Sequence, residues 1–357
     1  MLRSTVLGGP GCMEEIRAEW QELATSAPTA TPFQTWEWQS TWLKHYRGRK
    51  RPHLLAIREG DDLVGLMPFT RTVGAWRALR AMGSGSSDYL HPLARAGYEE
   101  AVAGAVSQHL REMAKIDLFD LHQIRCNQPL ASNSPARARI EQATCLLLDL
   151  PETYEAYLST LSKSLRYDVR RLEKSLFNEG RATVEPVGEE QIGQGLDILF
   201  EQHKRRWRKR GLPGAFMARA QRFHHEWGRL AIREGWLWLS ILRLDSQPIG
   251  AIYAMRFGPT CYYYQAGFDP AHGSISPGTL LVAATIRRAI DDGLGHFDFL
   301  RGDEPYKRRW KPQHELVNYR LLHAKNPFRG GMGASWNEAG SRVEARIRAR
   351  LEGKGLI

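Results

Sequence analysis

The feature that most constrains this 357-residue chain is a weak internal duplication. Residues 54–69, LLAIREGDDLVGLMPF, can be laid over residues 239–254, LSILRLDSQPIGAIYA, so that Val64-Gly65 falls on Ile249-Gly250, 185 positions later. Each copy alternates apolar residues around a polar turn, Gly60-Asp61-Asp62 in one and Asp245-Ser246-Gln247-Pro248 in the other, the pattern of a β-hairpin. A second echo lies downstream: Leu118-Phe119-Asp120-Leu121 resembles His296-Phe297-Asp298-Phe299, with the aspartates 178 apart. A helical period precedes each, carried by Val102, Val106 and Leu110 in residues 99–114 and by Leu280, Ala283, Ala284, Ile286 and Ile290 in residues 279–292. The shared order of hairpin, strand, helix and strand predicts two domains of one mixed α/β (α+β) type, over residues 1–150 and 151–324. Residues 325–357 follow as a basic C-terminal appendage.

With 42% hydrophobic and 25% charged residues, wholesale disorder and coiled coil are both excluded. Fifty Lys and Arg against 39 Asp and Glu leave a formal charge of +11, which points to an anionic ligand without naming it. Cys12, Cys126, Cys145 and Cys261 lie far apart with no CxxC pair, so a cytoplasmic protein with reduced thiols is expected. His122, His203, His224 and His225 form no metal triad, and no metal is expected. The N-terminus lacks the apolar segment of a signal peptide, and no hydrophobic run reaches the length of a membrane span.

Positive charge concentrates in two stretches. Lys163, Arg166, Arg170, Arg171 and Lys174 recur at helical spacing, and Lys204, Arg205, Arg206, Arg208, Lys209 and Arg210 surround Trp207. Such stretches suit phosphates and a stacked base, or equally a solvated helix face; no motif for sequence-specific DNA binding accompanies them. In residues 32–46, Trp38, Trp42 and Tyr46 stand four apart, as in a packed amphipathic helix.

The richest segment for chemistry is residues 260–310. Cys261 to Gln265 reads as an aromatic strand, and a polar turn at Ser274–Thr279 leads into a helix with Thr279 as its N-cap. A glycine-containing turn feeding a helix N-terminus collects free N–H groups and the positive end of the dipole, which suits a phosphate; the same turn also simply caps a helix. Tyr262 and Tyr264 are expected on one face of the strand, Tyr263 and Gln265 on the other. Asp298, at the end of a buried strand, reads as a structural hydrogen-bond acceptor.

The run SPGTLL at Ser276–Leu281 and the block FDFLRGDEPYKRRW at Phe297–Trp310 resemble the BioF2-like or CelD-like acetyltransferases, a branch of the GNAT superfamily related to the FemAB peptidyltransferases. Further matches are PFQTWEW at Pro32–Trp38, LSKSLRYDVRRLEK at Leu161–Lys174 and HKRRWRKRGLPGAF at His203–Phe216. The resemblance implies two tandem GNAT-like domains, each a twisted mixed sheet flanked by helices, with donor binding and catalysis in the second. It implies an acyl-CoA donor, held by Tyr264, Gln265, Ala266 and Gly267 on one of two splayed strands and by the turn Ser276, Pro277, Gly278 and Thr279. The usual GNAT phosphate signature, a basic or Gln residue followed by GxG/A, is absent.

For catalysis the resemblance puts Tyr306 as the acid that protonates the departing thiolate, Asp303 or Glu304 as general base, and Lys307 as holder of an anionic group. The structural alternative is a polar loop anchored by an Arg301–Asp303 ion pair. The expected activity is acyl transfer to an amine or hydroxyl of a small-molecule or envelope-related acceptor, by a monomer whose first half forms scaffold and cleft wall. Two alternatives stand beside it: FemAB-like aminoacyl transfer from charged tRNA, and an inactive scaffold of a polysaccharide-export assembly.

Overall fold

The computed structural model of the chain describes residues 2–72, 74–178, 180–208 and 214–335. By its internal contacts the chain divides into two units: residues up to Thr144 together with those from Leu316, and Cys145–Glu315. Unit 1 opens with β1 (Leu2–Gly8), followed by the helices α1 (Cys12–Glu15), α2 (Arg17–Ser26) and α3 (Trp36–Tyr46). The expected aromatic helix is α3, with Trp38 and Trp42 buried and Trp42 stacked on Tyr46 at 5.7 Å.

The first predicted hairpin is β2 (Lys50–Glu59) and β3 (Asp62–Thr72). Then come β4 (Ala78–Ala81), β5 (Leu93–Ala94), α4 (Glu99–Glu112), β6 (Leu118–Arg125) and α5 (Pro129–Asn133). The core of this unit lies between the sheet and α4, around Phe69, Leu79, Val102, Val106, Phe119 and Leu121.

Unit 2 takes up the chain within β7 (Ala138–Asp149) and continues through α6 (Tyr154–Thr160), α7 (Lys163–Leu172), β8 (Ala182–Pro186), α8 (Ile192–Arg208) and α9 (Ala218–Arg233). The second predicted hairpin, β9 (Leu237–Leu244) and β10 (Gln247–Phe257), leads to β11 (Thr260–Phe268), α10 (Pro277–Asp291), β12 (His296–Arg301) and α11 (Pro305–Arg308). The strand order in this unit is β7-β12-β11-β10-β9-β8. The last strand, β13 (His314–Ala324), pairs antiparallel with β6 and from Leu316 groups with unit 1, not with the residues before it. Most of the basic appendage, residues 336–357, lies outside the described residues.

Both sequence echoes have a structural cause. Val64 and Ile249 are each the extra residue of a β-bulge, because Ile57 pairs with Gly65 and Arg58 with Leu63, while Pro248 pairs with Arg243 and Gly250 with Leu242. The glycine after each bulge admits the crossing helix. A Cβ on Gly65 would stand 2.3 Å from Val102 Cγ2 on α4, and one on Gly250 would stand 3.1 Å from Leu281 Cδ1 on α10. Asp120 and Asp298 occupy equivalent places, each the third and last residue of a short parallel ladder: Arg80↔Asp120 between β4 and β6, Tyr262↔Asp298 between β11 and β12. The repeated unit is therefore the one that the two echoes predict, a mixed sheet flanked by helices.

In unit 2 the helices lie on opposite faces of β11. α6, α7 and α10 share one apolar cluster with Cys261, Tyr263, Ala266, Phe297 and Trp310. α8 presses on the other face, so closely that a Cβ on Gly267 would stand 2.3 Å from the backbone nitrogen of His203.

Candidate active site

β11 and β12 pair through only three residues, Thr260↔His296, Cys261↔Phe297 and Tyr262↔Asp298. β11 nevertheless runs on to Phe268 and β12 to Arg301, so the parallel strands part after Tyr262 and leave an edge of β11 that β12 does not cover. Two backbone devices hold the gap. Tyr264 is the extra residue of a bulge, since Tyr253 pairs with Gln265 and Ala254 with Tyr263. On the other side Leu300 adopts φ 56°, and its amide is taken by the buried Asp298 carboxylate at 2.8 Å. Asp298 is thus the structural acceptor expected, and its bond turns β12 away from its neighbour.

The bulge also breaks the strict alternation expected along β11. Tyr263 and Ala266 share the α10 face, whereas Tyr264 contacts His224 and Tyr253 on the α8–α9 side, at 5.3 and 5.2 Å between ring centres. Gln265 is half-buried. Gly267 is turned to α8, where its missing side chain is a packing requirement.

The turn after β11 departs from expectation in one respect: α10 starts at Pro277, with Ser276 and not Thr279 as N-cap. The reason is Pro277, whose ring presets the helical φ at the first position and which has no N–H to satisfy. Ser276 takes a left-handed φ of 46°, and its carbonyl accepts from Thr279 N at 2.9 Å and Leu280 N at 3.2 Å. With no N–H on Pro277 and the Thr279 and Leu280 amides turned back to Ser276, the positive dipole end of this turn is presented by the Gly278 amide.

Tyr306, in the first turn of α11, reaches the same place. It lines a small cavity of about 30 Å³ together with Gly278, Thr279, Leu165, Arg309 and Trp310. Tyr306 packs against the cluster that holds Tyr263, and the two phenols act on each other electrostatically. Burial, with Tyr263 and Glu304 nearby, pushes the Tyr306 hydroxyl well above the usual tyrosine range; Arg206 acts in the opposite direction. Burial likewise raises Tyr263, and Arg206 again opposes it. The pair therefore remains protonated phenol at neutral pH.

The other expected groups fall differently. Lys307 is buried, and its ammonium donates to the carbonyls of Arg301 at 2.7 Å and Gly302 at 3.3 Å and lies 2.9 Å from Glu304 Oε2. It holds the loop that carries Tyr306. Asp303 forms an exposed ion pair with Arg308, which also donates to Glu315 at 2.7 Å; the Arg301–Asp303 pair of the structural alternative is replaced by this one. Glu304, not Asp303, is the acid close enough to act on both phenols. Among the described residues no group of three or more His, Cys, Asp or Glu side chains is placed to hold a metal ion.

Two contributors were not singled out from the sequence. Tyr263 was one of four aromatic-strand residues that alternation alone could not rank, and the bulge decides its face. Arg206 was hidden in a run of basic residues; it is the one that reaches the parted strands, with Nη1 3.5 Å from the Ala266 carbonyl and its guanidinium 4.8 Å from the Phe268 ring centre.

Residues 163–308 match the acetyltransferase (GNAT) domain family. No curated protein matches the chain. Among solved structures the fold is similar to that of FemX (TM-score 0.62, 11% identity, covering 84% of this chain and 95% of that one). It is also similar to a conserved protein of unknown function from Bacteroides thetaiotaomicron (0.59, 11%, 89% and 99%) and to L-PGS from Bacillus licheniformis (0.55, 14%, 88% and 92%). The parted strands, the bulge and the helix that opens beside them thus lie within the segment, residues 163–308, that matches the acetyltransferase (GNAT) domain family.

Proposed function

We propose that unit 2 transfers an acyl group from acyl-CoA to an amine or hydroxyl acceptor. The observation that carries this reading is the convergence of three features: the uncovered edge of β11 past Tyr262, the N-terminal turn of α10 at Ser276–Thr279, and the Tyr306 phenol in one cavity with Gly278 and Thr279. An uncovered strand edge offers backbone donors and acceptors to an extended amide-bearing arm such as pantetheine. A helix N-terminus suits the pyrophosphate.

In the reaction the acceptor nitrogen or oxygen bonds to the thioester carbon, the carbon–sulfur bond breaks, and the sulfur leaves with a proton. Tyr306 supplies that proton, as the protonated phenol that shares a cavity with Gly278 and Thr279. Glu304 is the acid placed to receive the acceptor's proton once its tie to Lys307 loosens. The blocks SPGTLL and RGDEPYK support the BioF2-like or CelD-like branch, and four free cysteines suit the cytoplasm, where acyl-CoA is at hand.

The likeness to FemX supports a second reading, aminoacyl transfer from charged tRNA. Lys163, Tyr167 and Arg171 would meet it along α7, where Tyr167 is 66% exposed, with Lys174 just past its end. A scaffold role is the third reading.

Calorimetric titration with acetyl-CoA, desulfo-CoA and charged tRNA separates the three. The expected result is micromolar binding of both CoA species, abolished by Gly278→Val, whose branched side chain would crowd the Phe268 ring, 3.3 Å from the position of a Cβ. Binding of tRNA alone moves the reading to aminoacyl transfer, and binding of nothing leaves the scaffold.

A further inference from the structure

After β13 the chain of unit 1 forms a helical segment, residues 329–335. Its seat is firmly built. The Asn326 side chain caps it, accepting from Phe328 N at 3.0 Å and Arg329 N at 2.8 Å, and Lys325 Nζ donates to the carbonyls of Leu110, Arg111 and Met113 at the end of α4. Two glycines let the inner face close on its neighbours: a Cβ on Gly330 would stand 2.1 Å from the Asp117 carbonyl oxygen, and one on Gly333 would stand 2.8 Å from Leu118 Cδ2.

The outer face carries Phe328, 74% exposed, and Met332, 48% exposed. They share one turn, since Met332 N donates to Phe328 O at 2.9 Å. A single exposed apolar side chain is ordinary, but two held out side by side on a capped, glycine-seated turn are a prepared contact. Cations flank them. Arg329 lies on the same segment, and Arg137 lines, with Pro327 and Ala334, an adjoining hollow of about 350 Å³. Both arginines are exposed and neither has a carboxylate within ion-pair distance among the described residues, whereas Arg77 of the same unit is paired with Asp117 at 2.9 Å.

Two side chains on one turn are too few for a stable protein interface, which takes roughly 800 Å² from each partner. They suffice at the boundary of a bilayer, where an apolar face sinks about 5–10 Å and flanking Lys or Arg meet the phosphates. In the sequence the spacing of four continues to Trp336, a residue type favoured at that boundary, and residues 325–357 hold seven Lys and Arg against three Glu. We propose that this face of unit 1 docks on an anionic phospholipid surface, with Phe328 and Met332 entering the acyl boundary and Arg137 and Arg329 taking headgroup phosphates. The docking is independent of the acyltransferase reading.

The test is co-sedimentation of the full chain with vesicles of phosphatidylglycerol and phosphatidylcholine in equal parts, and with phosphatidylcholine alone. Binding to the mixed vesicles is expected to be at least about tenfold tighter than to the neutral ones and to weaken with salt. Phe328→Ser combined with Met332→Ser is expected to weaken it at least about tenfold, because no apolar side chain then leaves water. Arg137→Gln combined with Arg329→Gln is expected to lower the preference for anionic vesicles several-fold. Met217→Ser removes a comparably exposed side chain from unit 2 and is expected to change nothing.

Circular dichroism establishes that the variants fold; if the serine pair does not, Phe328→Ser alone carries the comparison. Failure to sediment with anionic vesicles overturns the proposal, as does binding that neutral vesicles match, that the serine pair leaves intact or that Met217→Ser reduces equally. An anion preference that the arginine pair leaves whole overturns it as well. Self-association in light scattering that the serine pair abolishes, without vesicle binding, would assign the face to a second copy of this chain instead.

Discussion

Tyr306 is a protonated phenol at neutral pH, in one cavity with Gly278 and Thr279, and so carries a proton that a departing thiolate can take. If it delivers the proton, Tyr306→Phe removes an interaction made only in the transition state, so kcat is expected to fall by about 10²-fold with the acetyl-CoA dissociation constant changed less than about twofold. Stopped-flow thiol release and calorimetry on the same preparation give the two numbers. A parallel loss of donor affinity would show that Tyr306 merely packs. In the sequence, Tyr306 and the Ser276–Thr279 turn stood out through the resemblance of FDFLRGDEPYKRRW and SPGTLL to a known family. It did not show that Lys307 is buried or that Asp303 turns to Arg308, since a charged residue in a loop carries no signal of which carbonyls it will find. The partners of the two repeated aspartates were equally illegible: Asp298 takes the amide of Leu300, and Asp120 pairs with Arg320 at 2.6 Å.

Among elements, the hairpins and the crossing helices were legible because period 2 and period 3.6 are written in side-chain polarity. The bulges were not, because a bulge shifts hydrogen bonds without changing composition. Gly65 and Gly250 do appear in the sequence, and their geometry predicts unequal tolerance. At Gly65 an added methyl meets the stiff Val102 side chain at 2.3 Å, with its Cβ at 3.2 Å, so α4 as a whole must move. At Gly250 it meets the movable end of Leu281 at 3.1 Å and the Gly267 carbonyl at 3.3 Å. Gly65→Ala is accordingly expected to cost about 2–3 kcal/mol and Gly250→Ala about 1 kcal/mol or less, read from urea unfolding of each variant. Equal costs would mean that the two helices do not depend on these glycines for their seats. The grouping of β13 with unit 1 lay beyond local pattern, since the residues of a strand state its faces but not its partner.

For the molecule as a whole, the net charge of +11 sets which ligands approach, while buried neutral histidines set the pH at which the fold survives. Burial holds His53 down to about 4, with His109 and Arg71 adding to the effect, and holds His91, His203 and His224 down to about 3. In the unfolded chain each returns to about 6.5. The folded state thus binds fewer protons than the unfolded one between these limits, so stability is complete above about pH 6.5 and falls as the pH drops. At pH 5 unfolding takes up on the order of four protons, a slope of several kcal/mol per pH unit. Asp120 adds a second loss at still lower pH: burial raises its pKa, but His122 and Arg320 outweigh that and hold it below the carboxylate range. Urea midpoints measured from pH 8 to 4.5 should be flat down to about pH 7 and then decline steeply. His224→Gln, and separately His53→Gln, should each remove about one proton from the slope. A midpoint unchanged between pH 7 and 5 would mean that these imidazoles are charged in the folded protein and that their pockets are wetter than their burial implies.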